Sequence, residues 1–141
     1  MFLGEYSHNI DNKNRLAVPV KFRFDLKQGA VITRGLDNCL FMFTKKEWEK
    51  FVEKISTLSL TQANARSFSR MMLMGAMEVK IDKLGRIVLP DFLKKFAGLK
   101  KKVVIGGVFN RIEIWDEAQW EIYKKKSETN VEKTAEALFD M

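Results

Sequence analysis

Two short segments of the sequence place an aspartate four residues before an arginine. The first spans residues 11–15 (Asp-Asn-Lys-Asn-Arg) and the second spans residues 82–86 (Asp-Lys-Leu-Gly-Arg), and we call them turn one and turn two. A carboxylate that precedes a turn can accept hydrogen bonds from the amides of the turn, and it can also pair with an arginine that follows. Such a pair holds the guanidinium in a fixed orientation, ready for a phosphate or for the edge of a guanine base.

The same pattern has a purely structural interpretation, in which each aspartate and arginine form a salt bridge that only closes the turn. A single Asp-x-x-x-Arg segment favours that interpretation. Here the segment occurs twice, and further lysines lie at positions 13, 80 and 83. The two interpretations are compatible, because an aspartate that closes the turn also orients the arginine.

The segments that must position the two turns are two copies of one unit. Residues 4–27 align with residues 75–98 at an offset of 71, and one inserted residue then changes the offset to 72. The identical pairs include Gly4 with Gly75, Asp11 with Asp82, Arg15 with Arg86, Pro19 with Pro90, Gly35 with Gly107, and Trp48 with Trp120. Matches of these residue types in one order with a single shift indicate a duplication.

Both copies predict the same order of elements around the turn. Residues 78–82 alternate in polarity and predict a half-buried strand, and residues 86–89 predict the return strand, which Pro90 ends. The apolar residues that follow share one face of a short helix. In the first copy, residues 20–26 alternate like a strand, and only the match to the second copy favours a helix there.

A second hairpin and a helix with a polar N-cap complete each copy, since Thr44 and Asp116 can each cap the helix that follows. The fold class predicted is α+β, mainly β with flanking helices. The predicted parts are a first unit over 1–55, a connecting helix within 56–74, a second unit over 75–127, and an acidic tail over 128–141 that forms a short helix at most.

Composition favours a soluble cytoplasmic protein with a polyanionic partner. The net charge is +7, with a surplus of ten basic residues over 1–127 and of three acidic residues over 128–141. A single cysteine excludes an internal disulfide, and a single histidine excludes a site with several histidine ligands. No apolar run reaches the roughly 20 residues of a membrane span. We therefore expect that the protein is not an enzyme, that it binds no cofactor, metal ion or small-molecule substrate, and that it does not associate with a membrane.

Residues 79–90 of the second unit (Val-x-Ile-Asp-x-x-Gly-Arg-Ile-x-Leu-Pro) resemble the AbrB/SpoVT DNA-binding unit. Two such units, each with Asp-x-x-x-Arg, resemble the MraZ family of bacterial regulators over nearly all of residues 1–127. The resemblance implies tandem swapped-hairpin units that form a pseudo-two-fold β-barrel. The first unit departs from the pattern at Asn14, which replaces the turn glycine, but asparagine tolerates the left-handed backbone well.

The resemblance to the MraZ family also implies a function. It implies a transcriptional regulator in the nucleoid that acts on the promoter of the division and cell-wall gene cluster, which includes its own gene. It further implies binding of short direct repeats in double-stranded DNA by a ring-shaped homo-oligomer. The DNA-binding residues would be Arg15 and Arg86, oriented by Asp11 and Asp82, with weaker expectations for Lys13 and Lys83.

Two alternatives of the same fold stay open. An RNA-binding protein could use the same basic faces, but RNA modules stack bases on exposed aromatic side chains. The aromatic residues of this sequence are predicted to lie on buried stripes, which disfavours that alternative. An antitoxin-like assembly protein is the other alternative, because related hairpin barrels act as antitoxins.

Overall fold

A computed structural model of the protein describes residues 1–139, which form eight strands and five helices. The strands are β1 (Phe2–Asn9), β2 (Arg15–Ala17), β3 (Ala30–Arg34), β4 (Leu40–Thr44), β5 (Met77–Val79), β6 (Arg86–Val88), β7 (Lys102–Phe109) and β8 (Ile112–Asp116). The helices are α1 (Val20–Leu26), α2 (Lys45–Ser56), α3 (Ala63–Met74), α4 (Asp91–Phe96) and α5 (Glu117–Phe139).

The strand order shows that the duplication extends to the fold. The main sheet has the order β1-β7-β8-β4-β3-β5, and β2 pairs with β6 in a separate ribbon. Exchanging each strand with its counterpart in the other unit reverses this order and leaves the pairing unchanged. The molecule is therefore α+β with pseudo-two-fold symmetry, as the sequence predicts. Within residues 1–139 the six-stranded sheet is open, and the pairing does not close it into a barrel.

The two units exchange their strands. The first strand of each unit pairs with the other unit, β1 with β7 and β5 with β3. The return strand after turn two, β6, likewise pairs with β2 of the first unit, with Leu16 opposite Ile87. Both of these side chains are buried, at 0% and 1% exposure, so the ribbon is fixed to the core by its inner face.

Three layers enclose two apolar cores. One face of the sheet packs against the β2–β6 ribbon and the helices α1 and α4, with Phe22, Leu26 and Leu93 buried between them. The opposite face carries Phe43 and Trp115, against which α2, α3 and α5 pack. Side chains alternate between the two faces, as the two-residue period of a strand requires.

The helix predicted at residues 20–26 from the repeat alone is confirmed as α1. Its alternating pattern has a simple cause. Phe22 and Leu26 lie one turn apart on the buried face, and Phe24 lies on the opposite side with 72% exposure. The prediction that the aromatic residues lie on buried stripes is wrong for six of them. Phe24, Phe109 and Phe139 are largely exposed, and Phe92, Phe96 and Tyr123 are exposed to a smaller extent.

Two other predicted elements have different lengths in the structure. The strand predicted over 78–82 ends at Val79, because its partner β3 begins opposite that residue at Ala30. The short helix predicted for the tail is the continuation of α5, which runs unbroken from Glu117 to Phe139. The last two residues of the predicted tail, 140 and 141, lie outside the described residues.

Candidate nucleic-acid interface

In turn one, the carboxylate of Asp11 organises both the backbone and the arginine. Its Oδ1 accepts hydrogen bonds from the backbone N–H of Lys13 at 2.9 Å and of Arg15 at 2.8 Å. Its Oδ2 accepts from Nε of Arg15 at 2.6 Å. The Asn14 N–H also donates to the Asp11 carbonyl at 3.1 Å, which closes the turn.

Turn two repeats this arrangement. Oδ1 of Asp82 accepts from the N–H groups of Leu84 and Arg86, both at 2.9 Å, and Oδ2 accepts from Nε of Arg86 at 2.9 Å. Both turns thus contain the salt bridge that the structural interpretation of the Asp-x-x-x-Arg segments predicts. Aspartate does close the turn, and the same carboxylate fixes the direction of the arginine fork.

The hydrogen bonds also set the protonation state of both aspartates. The pKa of Asp11 lies below its ordinary value of 3.8, first because the Arg15 amide donates to the carboxylate and then because the Arg15 guanidinium does. The pKa of Asp82 is lowered in the same way by the amide and the guanidinium of Arg86. Both carboxylates are therefore ionised at neutral pH, which keeps the arginines paired.

The backbone of each turn needs a residue with positive φ, and the two turns supply it differently. Asn14 has φ of 58° and Gly85 has φ of 80°. Each of these residues also bonds the opposite unit. The N–H of Val18 donates to the Gly85 carbonyl at 2.8 Å, and the N–H of Leu89 donates to the Asn14 carbonyl at 2.8 Å. The two turns are therefore parts of one structure.

A basic side chain from the opposite unit contacts each turn. Nζ of Lys94, on α4, donates to Oδ1 of Asn14 at 2.9 Å. Arg23, on α1, lies over Gly85 so closely that a Cβ at position 85 would collide with its guanidinium. The local sequence of the turns does not predict either contact. The available signal is that Arg23 and Lys94 are equivalent in the repeat and keep a positive charge.

The ribbon presents both arginines on one face. In the antiparallel pairing Arg15 lies opposite Val88 and Ala17 lies opposite Arg86. Directly opposed residues, and residues two apart on one strand, share a face of a sheet. Both arginines therefore emerge on the outer face, roughly 7 Å apart along the ribbon, while the inner face is buried. Their Nε atoms pair with aspartate, so the Nη groups form the outer end of each fork.

The two predicted lysines occupy different places in the turns. Lys13 and Lys83 are both exposed. In the repeat, however, Lys13 corresponds to Leu84, whereas Lys83 corresponds to Asn12. Within residues 1–139 neither ammonium group forms an ion pair, so both are available to an anionic ligand.

Other kinds of site find little support in the part of the chain that the structure describes. Over residues 1–139 no group of three or more His, Cys, Asp or Glu side chains is close enough to hold a metal ion. In the same range, none of the helices combines the length and the apolar character needed to cross a bilayer. Cys39 is buried, and burial raises the pKa of its thiol, which makes it a poor nucleophile.

A comparison with protein families gives a match that covers both units. The model of the family described as "MraZ protein, putative antitoxin-like" matches residues 1–71 and again residues 72–141. The two matches together span the whole chain and reproduce the tandem organisation seen in the sheet.

Proposed function

Because the chain belongs to the MraZ family, a family of non-enzymatic regulators, we propose that it is a sequence-specific DNA-binding transcriptional regulator. Its target would be the promoter of the bacterial division and cell-wall gene cluster that includes its own gene. It would bind short direct repeats there, as a ring of identical chains, through turn one and turn two.

The observation that carries the proposal is the shared outer face of the β2–β6 ribbon. Arg15 and Arg86 emerge on that face, each with its Nε held by an aspartate. A major groove admits a two-stranded β-ribbon, and an arginine fork of fixed orientation can donate two hydrogen bonds to O6 and N7 of guanine. The pairing with aspartate reduces the side-chain entropy that would be lost on binding.

The charge distribution supports a DNA partner. Residues 1–127 hold a surplus of ten basic side chains, and the exposed Lys13 and Lys83 lie in the two turns themselves. Neutralising phosphates with such groups releases counterions, so affinity should fall steeply with salt, with a slope of about −0.9 for each phosphate contacted.

A ring would suit tandem repeats, because linked weak sites gain effective concentration on one DNA molecule. The single chain exposes apolar surface that could form the contacts between neighbouring chains of a ring. Large apolar side chains are exposed at the end of α3 and on the edge strand β5, including Met74 at 79% and Met77 at 45%. Light scattering should give a mass of several chains, and a monomer at micromolar concentration would contradict the ring.

The test of the DNA site is an electrophoretic mobility-shift series on a fragment from upstream of the chain's own gene. Each of Arg15→Ala and Arg86→Ala should cost about 1–3 kcal/mol of binding and relax specificity, and the double variant should cost more. Arginine-to-lysine variants keep the charge but lose the two-pronged donor, so they should lose specificity more than non-specific affinity.

The matched control is Lys50→Ala with Lys54→Ala, which removes two positive charges from exposed positions on α2. The control should bind like wild type. Unchanged affinity in the double arginine variant would overturn the assignment of the site. Competition by structured RNA that equals competition by duplex DNA would favour the RNA-binding alternative, which the exposed Phe24 and Phe109 keep open.

An antitoxin-like role is the second candidate, because the description of the matching family includes that term. The surface that favours it is an open apolar cleft of about 370 Å³, whose lining includes Leu36, Met71 and Phe96. Deleting the gene should separate the two roles. Growth arrest that is relieved by deleting a neighbouring toxin gene would support the antitoxin, whereas altered transcript levels without arrest would support the regulator.

A further inference from the structure

We propose that a cleft beside turn one binds DNA phosphates, through three lysines that belong to the second unit. This inference rests on the proposed function and names a further set of residues for it: Lys94, Lys100 and Lys101. None of them lies in an Asp-x-x-x-Arg turn. We call this site the lysine cleft.

The lysine cleft is an open depression of about 570 Å³ between turn one and the segment that joins α4 to β7. Its lining residues are Asn9, Ile10, Asp11, Asn12, Lys94, Lys100 and Lys101. The first unit thus contributes the end of β1 and the start of turn one, and the second unit contributes every cation. The site exists only because the strands of the two units are exchanged.

Hydrogen bonds hold the lysine backbone against turn one. The N–H of Ile10 donates to the Lys101 carbonyl at 2.8 Å. The Lys100 N–H donates to Oδ1 of Asp116 at 3.3 Å, and this aspartate is itself buried with 4% exposure. Lys94 is fixed through Asn14, as described above. Hydrogen bonds therefore hold the backbone of Lys100 and Lys101 and the side chain of Lys94 in place beside turn one.

The charges of the lysine cleft favour an anion. Among the described residues 1–139, Asp11 is the one acidic residue in its lining, and both of its carboxylate oxygens already accept hydrogen bonds from turn one. Three lysines thus face a single carboxylate that is already neutralised by Arg15. A phosphate that entered would gain these cations without displacing an existing ion pair.

A second open cleft of similar size also contains lysines, but it has no surplus of positive charge. It measures about 530 Å³ and lies at the other end of β7, beside Phe109 and Asn110. Its lysines, Lys50 and Lys54, are matched there by Glu47 and Glu53. The eight residues of β7 span about 24 Å and separate the two clefts, which makes the second one a suitable control.

The position of the lysine cleft points to the DNA backbone as its ligand. It is continuous with turn one, which also carries Arg15 on the outer face of the ribbon. Phosphate contacts fix the register of a protein on DNA, while contacts to base edges provide the sequence information. A phosphate held in the lysine cleft would set the register in which Arg15 meets the groove.

The lysine cleft also gives the pseudo-symmetric ribbon a direction. The lysines lie at different positions around the two turns. Lys100 and Lys101 beside turn one correspond in the repeat to Gln28 and Gly29, whereas Lys80 and Lys83 beside turn two correspond to Asn9 and Asn12. A two-fold symmetric binding surface matches a palindrome, whereas direct repeats have a polarity. Phosphate contacts made from different positions at the two turns would let each chain bind a repeat in one orientation.

The experiment compares Lys100→Ala with Lys101→Ala, as one double variant, with the Lys50→Ala and Lys54→Ala control. Affinity for the promoter fragment is measured from 50 to 200 mM salt. The lysine-cleft variant should lose about 2 from the magnitude of the salt slope, so its defect relative to wild type should shrink roughly tenfold across this range. The control should keep the wild-type slope.

The outcomes separate this inference from the proposed function. A wild-type chain that binds no DNA overturns both. Wild-type binding with an unchanged slope in the lysine-cleft variant, or an equal change in the control, overturns the lysine cleft alone. Hydroxyl-radical footprints should also lose protection at one end of each repeat, and loss at both ends would contradict a directional contact. All four lysines are exposed, so both double variants should fold.

Discussion

Turn one and turn two reach the same Asp–Arg geometry with different residues around it. Both aspartates bond two amides and one Nε atom at distances between 2.6 and 2.9 Å. The left-handed position, however, is Asn14 in one turn and Gly85 in the other. The duplicated unit therefore preserves the backbone and the arginine, while the residues that support each turn have diverged.

The divergence is coupled across the units. The Asn14 side chain accepts a hydrogen bond from Lys94, whereas the missing side chain at Gly85 leaves space for the larger guanidinium of Arg23. Arg23 uses its Nε to donate to the Val18 carbonyl at 2.8 Å. Each turn residue is thus matched to the cation of the opposite helix, and exchanging one without the other should be costly.

The largest expected effect comes from Gly85→Ala. A Cβ at φ of +80° is disfavoured by about 1–2 kcal/mol, and here it would also displace the Arg23 guanidinium. The free energy of unfolding, measured by urea denaturation, should fall by at least that amount. Asn14→Gly is the matched variant at turn one and should change stability far less, because glycine accepts the same φ.

Adding Arg23→Ala to Gly85→Ala tests the coupling. The double variant should recover the steric part of the loss and keep the part due to φ, so the two changes should not add. Additive losses would show that Arg23 and residue 85 act independently. That result would contradict the matched pairing of turn residue and opposite cation.

A smaller effect, equal in both turns, is expected from pH. The folded pKa values of Asp11 and Asp82 lie below 3.8, so their contribution to stability is complete above that pH and is lost as pH falls through the folded pKa values. Asp11→Asn and Asp82→Asn should each flatten the fall of unfolding free energy between pH 4 and pH 2. Urea denaturation at a series of pH values would show it.

The relative size of the effect in the two asparagine variants shows whether the two Asp–Arg pairs are equivalent. Equal flattening would confirm that the Asp–Arg pairs are equivalent, as their common hydrogen bonds indicate. A clearly larger effect for Asp11 would show that its shorter contact with Arg15, 2.6 Å against 2.9 Å in turn two, makes the stronger ion pair. No flattening in either variant would contradict the lowered pKa values.

The sequence predicts the Asp–Arg hydrogen bonds of both turns well, because they depend on local chemistry. The Asp-x-x-x-Arg spacing suffices to place both carboxylates on the turn amides and both Nε atoms on the carboxylates. The repeat also predicts α1, where the alternating pattern alone would have suggested a strand. Such features depend on contacts within a few residues, or on a comparison between the two copies.

Features that depend on distant contacts were not predicted. The length of β5 is set by the start of β3, and the contact of Lys94 with Asn14 joins residues that are 80 positions apart. The lysine cleft likewise requires residues 9–12 beside residues 94–101. Nothing in the spacing of these residues indicates that they meet, because strand exchange between the units brings them together.

The smallest expected effect concerns the tips of the turns. Lys13 stands at the tip of turn one, and its equivalent in turn two is Leu84, which is 67% exposed. Because Leu84 contributes only its backbone N–H to the turn, Leu84→Lys should change stability by no more than about 0.5 kcal/mol.

If the tips face DNA phosphates, the added cation should steepen the salt slope of binding by about 1. Lys13→Leu should make the slope shallower by the same amount. Opposite shifts in the two variants would show that the tips are equivalent in the complex, whereas a shift in Lys13→Leu alone would show that turn one approaches the backbone more closely, as the adjoining lysine cleft requires.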